Sequence, residues 1–368
     1  MRKLTELTKY LPEGWESAAR ETGAFKRGKK IKTVEDLLEL NLLYLTEGGS
    51  FGITSALIAL TTELEIHKQS IYERIQKSWR WLKWMTEEMC KNHQFTMEKP
   101  EWLDRDVITV DGSEESIKGS KQGDWRLHLA FDIFNFSYRT IEITDIKEGE
   151  KMSRYKIYKG DIVLADRMYG NIQGMEHIRR NGADFVLRYR TKAFNVYDDD
   201  GNKIELIDQF KPLKAMESTS VYGYYYHKGK RYPVRVVAMR KDDEAIEQTK
   251  LKMHKKLSKQ RGTKPSAQAL LFNEYIVVTT SLDCTYTENQ VLELYRARWQ
   301  IEKVFYRLKS LFGFGDVPSK NEDTVKAWFY GKLFLAVLCE TILVTECFFP
   351  EKEEHLQTVD FIKCVEES

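Results

Sequence analysis

Apolar residues recur at helical spacing through residues 1–95. Thr33–Leu45 opens on a Thr, carries acids in its first turn and is followed by Gly48-Gly49, the pattern of a capped helix. Ile53–Leu64 predicts a second helix. In Lys68–Met85, Ile71, Ile75, Trp79 and Leu82 keep the period and predict a third. The period changes over 104–190. Short apolar runs predict strands at Val107–Val110, Trp125–Phe136, Thr140–Thr144, Asp161–Ala165 and Asp184–Arg190, with Leu127, Leu129, Phe131 and Ile133 on one strand face. Helices are predicted around Glu148–Tyr158 and Ile172–Asn181. The order β-β-β-α-β-α-β predicts an α/β fold, a mixed sheet with helices on its faces. Residues 191–283 read as mostly β, with strands at Phe194–Tyr197, Val221–His227, Arg231–Ala238 and Glu274–Thr280 and a turn at Asp198–Gly201. Residues 284–368 return to helix, with one long helix expected over Thr287–Lys309 and another over Trp328–Phe348.

Composition narrows the class. A length of 368 residues suggests two or three domains and a core that needs no staples. The five Cys are widely spaced with no C-x-x-C, which argues against a disulfide framework or zinc ribbon and for a reducing cytosol. The first residues lack a signal-peptide apolar core. The most apolar stretch, Leu333–Phe349, holds Glu340 and Glu346, so a buried helix is expected rather than a membrane span.

Charge is nearly balanced, 58 Lys and Arg against 56 Asp and Glu, for a net of +2. The balance averages over opposed patches. The third helix presents Arg74, Lys77, Arg80 and Lys83 at three-residue spacing after a short turn, as helix-turn-helix DNA-binding units do, although a solvated basic face has the same pattern. Within 191–283, Gln248–Lys264 reads as a helical piece with Lys255, Lys256, Lys259 and Arg261 among its cations and no acid, a run that is either solvated or binds polyanions. From Glu346 onward seven acids face two Lys, a net of −5.

Candidate chemistry gathers at three carboxylates. Tyr295, Arg298, Glu302 and Lys309 follow the spacing Y-x2-R-x3-E-x6-K. On one continuous helix they would fall within an arc of about 60° at ~100° per residue. A core helix would place apolar residues there, while a salt-bridged exposed stripe would not need the Tyr. Asp111 ends the first apolar run (ITVDGS) and Asp166 ends the fourth (IVLADRMYG). Either could be an ordinary turn residue. Together with Glu302 they would supply three hard oxygen ligands, the set that Mg²⁺ or Mn²⁺ prefers.

These residues, in this order, resemble the DDE transposases of the insertion-sequence-four family. The blocks VDGSEES…GSKQGDWRLHLAFDIF and KGDIVLADRMYGNIQGMEHIRRNGADFVLRYR resemble those around the family's two Asp, and the similarity extends over residues 50–335. Met168 departs from the Gly often found there. The resemblance implies an RNase H-like catalytic core over 104–190 and 284–320, interrupted by a β-rich insertion over 191–283. It further implies a helical DNA-binding region at 1–95 and a helical C-terminal region at 321–368. It implies two Mg²⁺ ions, with Mn²⁺ able to substitute, held by Asp111, Asp166 and Glu302, which cut double-stranded DNA at terminal inverted repeats and join the freed end to target DNA. Arg298 and Lys309 would grip phosphates, Tyr295 would hydrogen-bond one, and Trp299 would stack on a distorted base or be buried as a structural Trp. A homodimer bridging two element ends, in the cytoplasm with the nucleoid and away from membranes, completes the expectation. A catalytically silent DNA-binding relative, or a nuclease that cuts without joining, is the alternative.

Overall fold

The computed structural model describes residues 6–62, 65–91, 96–117, 119–120, 123–191, 193–259 and 267–343. Four helices come first: α1 (Trp15–Glu21), α2 (Val34–Thr46), α3 (Phe51–Thr62) and α4 (Lys68–Lys91). Then follow β1 (Val107–Glu115), β2 (Trp125–Asp132), β3 (Ser137–Asp145), β4 (Ile162–Ala165), α5 (Ile172–Arg180) and β5 (Asp184–Arg188). The remainder is α6 (Leu206–Phe210), β6 (Ser218–His227), β7 (Lys230–Arg240), α7 (Asp243–Lys259), α8 (Ala267–Phe272), β8 (Tyr275–Thr280), α9 (Glu288–Ala297), α10 (Gln300–Ser310) and α11 (Glu322–Ile342). The strands form one eight-stranded mixed sheet in the order β3-β2-β1-β4-β5-β8-β7-β6. β1, β4 and β5 run parallel, whereas β2 with β3, β5 with β8, β8 with β7 and β7 with β6 pair antiparallel. This is the α/β architecture expected of an RNase H-like core.

The described residues divide into two compact units. The first draws on Met1–Lys99, Gly112–Gly149 and Ile301–Cys364. Its centre is α4 packed on α11. α11 buries residues around almost its whole circumference, including Val325, Trp328, Phe329, Leu333 and Val337, as a helix hydrophobic all round must. A Cβ at Gly331 would approach Leu45 Cδ2 to 2.5 Å, so the glycine is what lets α2 lie so close to α11. α2 itself starts with a capping box in which Thr33 and Asp36 satisfy each other's amides.

The second unit draws on Pro100–Asp111 and Glu150–Gln300. Residues 107–110 of β1 and all of β4 are buried at every position, and β5 is buried at its three central ones. Such continuous apolar runs belong to parallel strands covered on both faces. β8 pairs with β5, and the β6–β7 hairpin pairs with β8. The hairpin turns on Lys228-Gly229, both at positive φ, a two-residue loop whose twist matches its strands.

Four sequence expectations change. β1 runs on through Asp111 to Glu115, so Asp111 lies inside the strand. The polar segment around Glu148–Tyr158 is no helix beyond one 3-10 turn at Met152–Arg154. The 191–283 stretch carries α6 and α8 alongside its strands, while the helical basic piece expected from Gln248 is α7, which already begins at Asp243. The expected Thr287–Lys309 helix is two helices, because the amides of Arg298 and Trp299 bond carbonyls three residues back, at 3.2 and 3.1 Å. At the same point the Thr109 hydroxyl donates to the Arg298 carbonyl at 3.3 Å, a side-chain intrusion of the kind that breaks a helical ladder. The acidic tail from Glu346 lies outside the described residues.

Candidate active site

Asp111 lies within β1 and Asp166 immediately follows β4. β1 and β4 pair in parallel with Val107 opposite Ile162 and Val110 opposite Ala165. The next residue on each chain segment is the acid, Asp111 still within β1 and Asp166 just past the end of β4. Strand alternation puts Asp111 on the face opposite to Val110, and the same alternation carried one residue past β4 gives Asp166 that face too. Both are half-buried.

The loop after β4 is shaped around Asp166. Its Oδ1 accepts from the Met168 amide at 2.7 Å, closing a local turn. Met168 itself is 53% exposed and is not among the residues with positive φ. The site thus accepts a side chain where the family often has Gly. Asn171 caps α5 by accepting from the Gly174 amide at 3.0 Å and donates to the Met168 carbonyl at 3.0 Å. A Cβ at Gly170 would meet the Arg188 carbonyl oxygen at 2.5 Å, so the loop passes over β5 with no space for a side chain.

Two tyrosines tie this loop to β1. Tyr155 Oη donates to the Asp111 carbonyl at 3.2 Å, and the Tyr155 and Tyr169 hydroxyls are 2.7 Å apart. Burial pushes both phenols far above the ordinary tyrosine range, and the charge of Asp111 adds to the effect. Both remain protonated donors.

A cationic cradle lies on the Asp166 side. Tyr295, on α9, has the Arg188 guanidinium 5.9 Å and the Arg298 guanidinium 5.8 Å from its ring centre. Burial raises the Tyr295 phenol; the two arginines oppose that rise and Asp166 adds to it. Burial, followed by Arg167 and Arg298, pulls Arg188 down from the ordinary guanidinium range, while Tyr295 resists. Arg188 has no motif of its own in the sequence. Only the parallel pairing that ends β5 beside β4, and the Tyr295 ring, give it meaning. Trp299, at the break between α9 and α10, is 41% exposed and is therefore no core tryptophan.

α10 buries Ile301, Val304, Phe305 and Leu308 and exposes Glu302 and Lys309 on its other side. Glu302 and Lys309 of the expected stripe share α10, but Tyr295 is on α9 and Arg298 lies at the break, so the four signature residues do not share one helix. Lys309 Nζ lies 3.0 Å from Glu115 Oε1 and 3.5 Å from the Glu114 carbonyl oxygen. Among the described residues, no three His, Cys, Asp or Glu side chains cluster closely enough to hold a metal ion.

The basic face of α4 is uneven. Arg74 donates to the Arg27 carbonyl at 3.0 Å and lies 5.9 Å from the Phe25 ring centre. Lys83 faces Glu87 at 3.9 Å and the Tyr330 ring at 5.6 Å. Lys77 and Arg80 are exposed, Arg80 lying over Trp79 at 4.2 Å. Lys255, Lys256 and Lys259 are on α7, their side chains outside the described part, and Arg261 lies outside the described residues.

Comparison with known proteins places this arrangement. Residues 102–338 match the family model described as "Transposase DDE domain". The chain is 25% identical over 348 residues to the InsL protein of insertion sequence element IS186A from Escherichia coli (strain K12), covering 93% of each chain. It is 25% identical over 349 residues to the transposase for insertion sequence element IS421 from Escherichia coli, again covering 93% of each. To the transposase for insertion sequence element IS1151 from Clostridium perfringens it is 25% identical over 242 residues, covering 60% of this chain and 50% of the relative. No helix of the described residues is long and apolar enough to cross a membrane. With the family match spanning well over half of its length, the protein belongs to the DDE transposases, enzymes of DNA transposition.

Proposed function

We propose that the chain binds the terminal inverted repeats of an insertion sequence, then cleaves and transfers the DNA strand at a site made of Asp111, Asp166 and Glu302. The reading rests above all on the register of β1 and β4, whose last pair, Val110 with Ala165, precedes the two acids by one residue. DDE transposases generally use divalent metal ions. The donors here are all carboxylates with no Cys or His, which suits a hard cation. Bound by Asp111, Asp166 and Glu302, two Mg²⁺ ions, with Mn²⁺ substituting, would supply an activated oxygen nucleophile and stabilise the leaving oxygen.

The chain's own residues position the DNA. Arg188 and Arg298, each near the Tyr295 ring, form a clamp for phosphate next to the scissile bond, where a guanidinium can bond two oxygens at once. Tyr295 stays protonated and donates to the same phosphate. Trp299 offers an exposed ring on which a distorted or flipped base can stack. The basic groups Lys77, Arg80, Lys255, Lys256, Lys259 and Arg261 hold more distant phosphates. Two copies of the chain pair in the complex that joins the element ends, at the nucleoid; light scattering of the purified protein with end DNA would read the stoichiometry.

Replacing Asp111, Asp166 or Glu302 by Ala should abolish Mg²⁺-dependent cleavage of a plasmid carrying the element ends while DNA binding in a gel shift is kept. Retained cleavage in any of the three removes that residue from the site.

A further inference from the structure

An arginine interrupts the buried apolar run of β7. Arg235 stands between Val234 and Val236 and is only 3% exposed, and the chemistry proposed above does not use it. A guanidinium this deep is costly unless its donors are met. Four hydrogen bonds meet them. Nε donates to the Ser220 hydroxyl at 2.9 Å, and Nη2 donates to Glu288 Oε1 at 3.1 Å. Nη1 donates to two carbonyls, that of Asp283 at 2.8 Å and that of Tyr286. The Ser220 hydroxyl in turn donates to Glu288 Oε1 at 2.6 Å. Every residue of this network belongs to the second unit.

The network converges on the start of one helix. Asp283 and Tyr286 lie in the segment that joins β8 to α9, and Glu288 is the first residue of α9. A carboxylate there meets the positive end of the helix dipole, which lets a cation be held at a place it would otherwise avoid. The helix is pinned at its far end as well, where the Arg298 carbonyl accepts from the Thr109 hydroxyl. Between the two pins α9 buries Val291, Leu292, Leu294 and Ala297. Tyr295 stands about two turns beyond Glu288, and Arg298 closes the helix. Well-packed apolar residues in place of a buried ion pair are often neutral or stabilising. Stability alone is therefore a weak reason for Arg235, and placement of α9 is a stronger one. We propose that Arg235 is a positioning residue for the grip on DNA phosphate, fixing the start of α9 and through it Tyr295 and Arg298. The β6–β7 hairpin is then a brace for the helix that holds the DNA. The inference rests on the proposed phosphate contacts of Tyr295 and Arg298.

The test is the salt dependence of binding to element-end DNA, read on the full chain by gel shift, with cleavage of a plasmid carrying the ends measured beside it. Arg298→Ala should lower the slope of log affinity against log salt by about 0.9, the share of one phosphate. Arg235→Met should lower it too, although a residue this deeply buried reaches no phosphate itself. It should also slow cleavage about ten- to hundred-fold, the scale of a contact displaced by ~1 Å. In the double variant Arg235→Met/Arg298→Ala the slope should fall no further than in Arg298→Ala alone. Lys211→Gln, which also removes one positive charge, should leave the slope unchanged. The proposal is overturned if folded Arg235→Met keeps the parent slope and rate, or if the two substitutions add in the double. Thermal unfolding identifies folded variants. If Arg235→Met does not fold, Glu288→Ala carries the test from a half-exposed position. It removes an acid, which by charge alone would favour DNA, so a lowered slope supports placement of α9 and a parent or steeper slope overturns it. If Arg298→Ala keeps the parent slope, its phosphate contact fails and the inference falls with it. If Arg298→Ala lowers the slope and Arg235→Met does not, the inference alone fails.

Discussion

At Gly170 a single hydrogen in place of a side chain decides whether the Asp166 loop can lie on β5. A Cβ there would come to 2.5 Å from the Arg188 carbonyl oxygen, a backbone atom that cannot rotate away. Gly170→Ala should destabilise the protein by about 1–3 kcal/mol, the range for overpacking, and slow cleavage by shifting Asp166. Gly149→Ala, where a Cβ meets nothing within 4 Å, is the matched control in urea unfolding. The tyrosine pair makes a second residue-scale prediction. Tyr155→Phe leaves the buried Tyr169 hydroxyl without this partner and should cost about 1–3 kcal/mol, whereas removing both hydroxyls should cost less than the sum. Both phenols titrate above the unfolded value of 10.0. Below pH 10 folded and unfolded chains hold these protons alike, so the contribution is fully present. Above it the unfolded chain releases protons that the folded one retains, and stability falls as pH rises. Urea midpoints on either side of pH 10 should drop less steeply in the Tyr155→Phe/Tyr169→Phe variant than in the parent. Arg188, Tyr155 and Tyr169 are illegible as site residues in the sequence because each acquires its role from a partner brought in by the sheet.

Elements differ in how openly the chain declares them. β4 and β5 are legible since a covered parallel strand is a plain apolar run. The end of β1 is not, because Asp111-Gly112-Ser113-Glu114-Glu115 is polar and only Ser113 and Glu115 turn inward. At the break between α9 and α10 the Arg298 carbonyl accepts from a hydroxyl 189 residues away in sequence, a contact that no local pattern gives. The helix expected near Glu148 fails for the opposite reason: buried Met152, Tyr155 and Ile157 follow no single helical face. α4 is legible as a helix, but its basic face hides two kinds of residue. Arg74 is tied to the Arg27 carbonyl and to Phe25, while Lys77 is exposed. Arg74→Ala should therefore lower the unfolding midpoint. Lys77→Ala should leave that midpoint alone and, where α4 meets DNA, lower the salt slope of binding by about 0.9 for each phosphate it no longer neutralises.

For the whole molecule the net charge of +2 is a poor guide to its partner. Charge acts on DNA through local patches, since salt screens exposed groups beyond ~8–10 Å. In the second unit several cations lie close enough to feel one another: Arg167 and Arg298 depress Arg188 after burial does, and Arg188, Arg167 and Lys252 depress Lys241 after burial does. Folding has brought like charges together beside Asp166, a crowding that a bound polyanion would relieve. Two substitutions separate the local from the global account. Arg167→Gln and Lys211→Gln both take the net charge from +2 to +1. Arg167 is exposed next to Asp166, whereas Lys211 is paired with Asp208 at 2.6 Å. If binding follows the patch, Arg167→Gln reduces the slope of log affinity against log salt by about 0.9 for the phosphate it leaves unneutralised, and Lys211→Gln leaves it unchanged. Equal effects from the two would mean that net charge governs the encounter and that the cluster beside Asp166 does not hold the DNA.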